Sequence, residues 1–246
     1  MKRSAIYLGA GVMFAAWMFM ISVPPAARGQ SVAGGVHLML GNPQGEFRQN
    51  VDNLGFGLAG YLLAGPKPGF AKIGGEFGFL VYGNESRKEP FSTTIPDVTV
   101  NVTTSNNILF GHLLVRLQVP VGPVQPYLDG LVGFNYLFTQ TSIKNEQGEE
   151  EIATSTNFKD FTFSYGGAGG ILIRFYQRNP QKPKNPREAH PVRAAYIDFR
   201  IRYLIGGEAN YLKEGSIRRE NGKVAYDVQH SKTDIMTFQL GVTAAF

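Results

Sequence analysis

The sequence contains no cysteine. That excludes disulfides, thiolate metal sites, a cysteine nucleophile and the acylated cysteine of a lipoprotein. Charge is also scarce, at 17% of 246 residues, too little for long solvated helices laced with ion pairs. Beyond residue 30 no continuous apolar run is long enough to cross a bilayer as a helix. The basic surplus is small too. Lys2, Arg3 and Arg28 lie in the first 29 residues with no acid beside them, and without them the formal charge falls from +5 to +2. A chain so nearly neutral makes no case for a nucleic-acid partner. What the sequence does have is 30 glycines and 12% aromatic residues, the material of strands and turns.

Residues 1–29 have the three parts of a secretory signal. Lys2 and Arg3 start it, Ile6 to Val23 is an uncharged apolar stretch, and small residues at Ala27 and Gly29 frame a cleavage point. A cleaved signal peptide over 1–29 and a single domain over 30–246 are therefore expected. An uncleaved anchor is the alternative, since the stretch approaches the length of a short transmembrane helix.

From residue 30 onward the dominant pattern has a period of two. In the last segment Met236, Phe238, Leu240, Val242, Ala244 and Phe246 share one face, and Thr237, Gln239, Gly241 and Thr243 the other. In the segment before it Ala195, Ile197, Phe199, Ile201, Tyr203 and Ile205 oppose Asp198, Arg200 and Arg202. Six more segments read the same way, running about 36–40, 54–62, 72–81, 109–119, 127–138 and 161–174. In the fourth of the eight, both faces are partly apolar. Most reach about ten residues, the length a tilted strand needs to cross a bilayer.

The connections alternate in length. Residues 64–69 and 120–123 are short, whereas 42–53, 83–106, 140–158 and 207–233 are long and polar. Short turns on one side and long loops on the other mark an up-and-down barrel. The fold predicted is all-β, an eight-stranded antiparallel transmembrane β-barrel, closed by pairing the strand near Val36 with the strand near Leu240. A soluble barrel of the lipocalin type is the structural alternative. The lipid-facing reading is favoured because aromatics cluster at strand ends, and because the polar face combines both charge signs with many glycines. On this reading Phe199 and Phe238 point outward.

The terminal segment Phe238-Gln239-Leu240-Gly241-Val242-Thr243-Ala244-Ala245-Phe246 carries a resemblance. With the leader, it resembles the small outer-membrane β-barrel family, which includes the OmpA transmembrane domain and OmpX. The resemblance implies location in a bacterial outer membrane. It also implies that Phe238, Leu240, Val242 and Phe246 form the signal read by the barrel-insertion machinery. Activity is not implied, because one fold hosts many functions.

The inward set predicted is Lys72, Glu76, His112, Arg116, Asp129, Arg174, Asp198, Arg200 and Arg202. In a barrel this narrow such charges are expected to neutralise one another and close the lumen, with a carboxylate partner for Arg200 across it. The function expected is a structural or interaction role carried by the long loops, with 83–106 the richest. A small pore or ligand-binding transporter is the alternative, and a lipid-modifying enzyme comes after it. His230 and Ser231 are adjacent, and adjacent strand residues point to opposite faces, so they form no direct dyad. No enzyme activity, cofactor or metal is expected. Gly166-Gly167-Ala168-Gly169-Gly170 lies inside a strand with no helix after it, so it reads as a close-packed wall and not as a phosphate loop.

The connection at about 176–193 breaks the alternation. It is long and carries four prolines, with Arg178, Lys182, Lys184, Arg187 and Arg193 against the single acid Glu188. It reads either as a tolerated extended insertion or as a basic arm toward lipid head groups, an anionic periplasmic partner or the cell wall.

Overall fold

The computed structural model describes residues 30–67, 69–92, 95–144, 151–178, 192–220 and 223–246. The leader at 1–29 lies outside them, as do Lys182, Lys184 and Arg187 of the basic connection. Alternating side chains produce strands throughout: β1 (Gln30–Pro43), β2 (Gly55–Pro66), β3 (Ala71–Ser92), β4 (Ile95–Gln118), β5 (Val124–Lys144), β6 (Glu151–Gln177) and β7 (Ala194–Gly206). Four short strands follow, β8 (Glu208–Tyr211), β9 (Ile217–Glu220), β10 (Lys223–Tyr226) and β11 (Gln229–Lys232), and then β12 (Ile235–Ala245). The barrel is closed in the order β1-β12-β7-β6-β5-β4-β3-β2. Every neighbouring pair in it is antiparallel. Closure falls where the sequence placed it, with Val36 opposite Val242 and Leu38 opposite Leu240.

All eight barrel strands face as the alternation predicts. On β7, Ile197, Phe199, Ile201, Tyr203 and Ile205 are exposed, while Asp198, Arg200, Arg202 and Leu204 are buried. Apolar side chains share the interior with the charges: Met39, Leu63, Leu80, Phe110, Leu114, Leu131 and Leu137 all belong to one buried cluster. The inward Phe110 and Leu114 explain why both faces of β4 read as apolar.

Three expectations are corrected. The described residues of the stretches 83–106 and 140–158 form strand extensions and not open loops. The β3–β4 ladder continues with bulges to Ser92 opposite Ile95, and the β5–β6 ladder to Lys144 opposite Glu151. These extensions leave the bilayer, so the lipid-facing apolar row disappears while the backbone pairing persists. Secondly, the connection 207–233 folds into two small antiparallel ladders, β8 with β11 and β9 with β10. Thirdly, the first loop contains a short helix, α1 (Gly45–Asn50). Gly45 opens it at φ 55, a left-handed conformation that favours glycine. Helix α1 exists to place Phe47, fully buried, edge-on against Tyr82 and Tyr211 at the loop-side mouth, with centroids 5.4 and 5.0 Å away.

Candidate functional site in the lumen

Halfway down the barrel six charged side chains meet. They are Arg116 on β4, Asp129 on β5, Glu76 on β3, and Asp198, Arg200 and Arg202 on β7, all buried. Three guanidinium groups face three carboxylates, so the set is neutral at pH 7. In the ring, β3 and β7 stand four strands apart in either direction, on opposite walls. Glu76 spans that diameter. Its Oε2 lies 2.7 Å from Arg200 Nη1, and its Oε1 accepts from Arg202 Nη1. Arg200 Nη2 also lies 3.0 Å from Asp129 Oδ2. The carboxylate partner expected for Arg200 across the lumen is thus Glu76.

Arg116 is held from every side. Its Nε and Nη2 donate to Asp129 Oδ1 and Oδ2 at 2.7 and 2.9 Å, a fork-to-fork pair. Its Nη1 donates to Tyr61 Oη at 2.9 Å. The guanidinium carbon sits 4.5 Å from the Tyr61 ring centroid and 3.7 Å from that of Tyr127, a stacking that a planar cation suits. Both rings need space in the walls. A Cβ on Gly35 would come within 2.7 Å of Tyr61, and one on Gly170 within 2.3 Å of Tyr127. Gly170 is one of the run 166–170, so the close-packed wall read there is what the structure holds.

Asp198 collects a second cluster. It accepts from Tyr127 Oη at 2.6 Å, Tyr61 Oη at 3.0 Å and Thr243 Oγ1 at 3.0 Å. His37 Nε2 lies 2.9 Å away, with its ring stacked on Tyr61. Toward the loops, His112 Nε2 is 2.8 Å from Ser164 Oγ, which donates to Asn135 Oδ1 at 3.2 Å. Arg202 lies over the Phe110 ring, 4.4 Å from its centroid, and its Nε donates to Thr237 Oγ1 at 3.2 Å.

Two members of the expected set stand outside this centre. Lys72 donates to Gln118 Oε1 at 3.2 Å, among the amides of the turn side. Arg174 lies half-buried opposite Tyr196, at the turn end of β6. Both are inward by parity but sit where the lumen nears water. Tyr61, Tyr127, His37 and Thr243 carry no formal charge and so do not stand out as inward charges in the sequence. The alternation had already put each on the inward face, and an inward tyrosine on a glycine-rich strand was the available sign.

The outer surface is the reverse of the lumen. Phe199 and Phe238 are 49% and 45% exposed. Leu38, Ile73, Leu113, Leu128, Ile201, Leu240 and Val242 project beside them around the ring. Near the loop side, Phe134 stacks on Phe161 at 5.2 Å, and Phe79 meets Phe138 at 6.2 Å. At the turn side Phe70, Phe175 and Tyr176 are exposed. Along β6, Phe163 and Phe175 are twelve residues apart. That is roughly 40 Å of strand at ~3.3 Å per residue, or about 30 Å of height at a tilt of ~40°. The span equals the hydrocarbon thickness of a bilayer.

The chain is a closed eight-stranded β-barrel with an apolar, lipid-facing outer surface. No protein-family model and no curated protein matches it. Among solved structures the barrel is similar to Neisserial surface protein A, at 12% identity and a TM-score of 0.37, over 90% of this chain and all of that one. It is also similar to the translocator domain of the autotransporter NalP from Neisseria meningitidis, at 10% identity and a TM-score of 0.25, over 99% and 97% of the two chains. An anion-selective porin from Comamonas acidovorans aligns at 11% identity with a TM-score of 0.15, over 88% and 98%.

The remaining sequence-predicted residues lie on the outer surface and at the two ends of the barrel. Phe238, Leu240 and Val242 face outward on β12, and the Phe246 amide donates to Val32 O at 2.8 Å. The basic connection leaves and re-enters through Arg178 and Arg193, joined by a 2.8 Å backbone bond. Lys67, in the neighbouring turn, has its pKa lowered by burial and by the charge of Arg193. Lys67 thus lies within electrostatic reach of Arg193, where the basic connection re-enters the barrel. His230 is exposed on β11, with Nδ1 3.0 Å from Asn210 Oδ1, while Ser231 turns inward to Tyr211 Oη at 2.7 Å.

Proposed function

We propose that the barrel does not conduct, and that it works as an outer-membrane interaction protein through its loop-side superstructure. The observation that carries this is Glu76, clasped by Arg200 and Arg202 from the opposite wall in a neutral buried set. A charge held this way by partners from facing strands is costly to displace. An ion crossing the barrel has to break several such contacts at once. Above the network, Phe47, Tyr82 and Tyr211 fill the mouth. The surface left for partners is the height of β3–β6 beyond the bilayer and the folded connection 207–233. On this proposal the leader is cleaved near residue 29, and Phe238, Leu240, Val242 and Phe246 are read by the insertion machinery. The protein is not an enzyme. The basic connection meets an anionic periplasmic surface.

Planar-bilayer recording of the purified protein tests the reading. Steady single-channel conductance in the wild type overturns it in favour of a small pore. Silence in the wild type, with conductance steps in Glu76→Gln, is the result expected.

A further inference from the structure

On the loop side the wall opens between β2 and β3. The β2–β3 ladder stops at Phe56 opposite Val81. Beyond that rung β3 bulges between Val81 and Gly83 and continues with β4 alone. The chain ahead of β2 comes instead from the helix α1 side. Two adjoining cavities occupy the gap, of about 310 and about 580 Å³, and share Asn53, Tyr82 and Glu214. Both fall within the roughly 300–1,000 Å³ of small-molecule sites.

The two cavities differ in chemistry. The larger is lined at its lower lip by Leu54, Phe56 and Val81. Leu54 and Phe56 are 61% and 70% exposed and lie on the lipid-facing side. The smaller is walled by Asn50, Asp52, Asn53, Asn106, Lys213 and Glu214. An apolar lip at bilayer level beneath a polar chamber matches the division within a membrane amphiphile. The chamber holds two carboxylates and one ammonium, a formal charge of −1, which disfavours a phosphate head group. Asn106 Oδ1 is taken by Thr139 Oγ1 and Glu214 Oε1 by Asn84 N. The exposed Asp52 accepts, however, and the exposed Asn53 both donates and accepts, as sugar hydroxyls require.

We propose that this cleft binds a glycolipid, with the acyl chain on Leu54, Phe56 and Val81 and the sugar head among Asn50, Asp52 and Asn53. The inference rests on the membrane placement above and is independent of whether the lumen conducts.

The test uses the protein purified from membranes and placed in phosphatidylcholine nanodiscs. Two photoreactive probes share one diazirine-bearing alkyl chain, and their heads are maltose and phosphate. The maltoside is expected to label peptides containing Leu54–Phe56 and Val81–Asn84 about tenfold more than peptides of the far wall around Phe199. Unlabelled dodecyl maltoside should compete. Asn53→Trp, an exposed-loop change that fills the cleft, should abolish the preference. Asp52→Lys, which turns the chamber charge to +1, should shift labelling toward the phosphate probe. Equal labelling by both heads, preference of the wild type for phosphate, or even labelling around the barrel each overturns the glycolipid assignment. Failure to enter the nanodisc overturns the membrane placement itself, and the inference with it.

Discussion

The barrel has a tall half and a short half. Strands β3, β4, β5 and β6 are 22, 24, 21 and 27 residues long, whereas β1, β2, β7 and β12 are 14, 12, 13 and 11. The tall strands are consecutive in the ring and rise past the bilayer as one four-stranded sheet. Over the short strands the chain builds upward with other means, helix α1 and the ladders of β8–β11. These lean on the tall sheet. Glu214 Oε1 accepts from Asn84 N at 2.7 Å, Glu85 Oε2 accepts from Gly215 N at 2.8 Å, and Arg87 Nη1 donates to Ile217 O at 3.0 Å. Within the bilayer the halves are joined by buried charge, and outside it by side-chain-to-backbone bonds at the rim. The same two walls are thus held together by strong, partner-dependent contacts below and by replaceable ones above.

The largest expected break is below. Glu76→Gln removes the carboxylate that ties β3 to β7 and leaves two buried guanidinium groups short of an acid. The loss expected is about 3–5 kcal/mol, read from urea unfolding in lipid vesicles. A change under ~1 kcal/mol means the cross-lumen pairs do not hold the walls. Next is Phe47→Ala, which empties the ring cluster over the short half. Truncating a buried phenylalanine costs about 3 kcal/mol. Here the cost should appear as faster amide exchange over 45–51, with the barrel amides unchanged. Uniform acceleration in the barrel would show instead that the mouth and the barrel unfold as one unit.

Arg116→Lys comes third, because it keeps the charge but loses the fork to Asp129 and the stacking between Tyr61 and Tyr127. A loss of about 2 kcal/mol is expected, measured in the same unfolding assay. Full retention of stability would mean that charge alone matters at that position. The smallest effect belongs above the bilayer. Replacing residues 85–104 with an Asn-Gly turn trims the tall sheet between paired strands. Barrel stability should move by less than ~1 kcal/mol, since the rungs removed lie above the bilayer, those from Asn84 opposite Ser105 downward remain, and closing the shortened connection costs little. Proteolysis of 213–227 should accelerate, because Glu85 and Arg87 no longer hold that connection. Loss of insertion in this variant would show that the tall sheet is needed to build the barrel.

What was legible in the sequence divides along the same line. Inside the bilayer one face meets lipid and the other meets packed side chains, so period two is written in hydrophobicity, and residues such as Phe199 and Arg200 could be assigned without a structure. Above the bilayer both faces meet water or a thin cover, and Ser, Thr and Asn obscure the contrast. A trace survives in Val98-Thr99-Val100-Asn101-Val102-Thr103, where β-branched residues alternate with polar ones, and Val100 and Val102 are buried. Helix α1 and β8–β11 left no comparable trace, because their order comes from contacts distant in sequence, such as Phe47 on Tyr211 and Asn84 on Glu214. The charged centre was legible as a set of inward residues. Which of them touch depended on strand stagger, and that is why Lys72 and Arg174 were counted with side chains they do not reach.

The rung between Val36 and Val242 also sets an order of events in time. Seven of the eight strand junctions join segments that follow one another along the chain or are separated only by the connection 207–234. The eighth joins residues 206 positions apart. The wall can therefore zip hairpin by hairpin while it remains an open ribbon with two raw edges, β1 and β12. The ring is completed only when those edges find each other. Until then each edge presents a row of unpaired backbone groups that lipid cannot satisfy and that another strand can. The closing step is the slow one, since non-local pairing governs folding speed. During that interval the nascent protein is most exposed to aggregation.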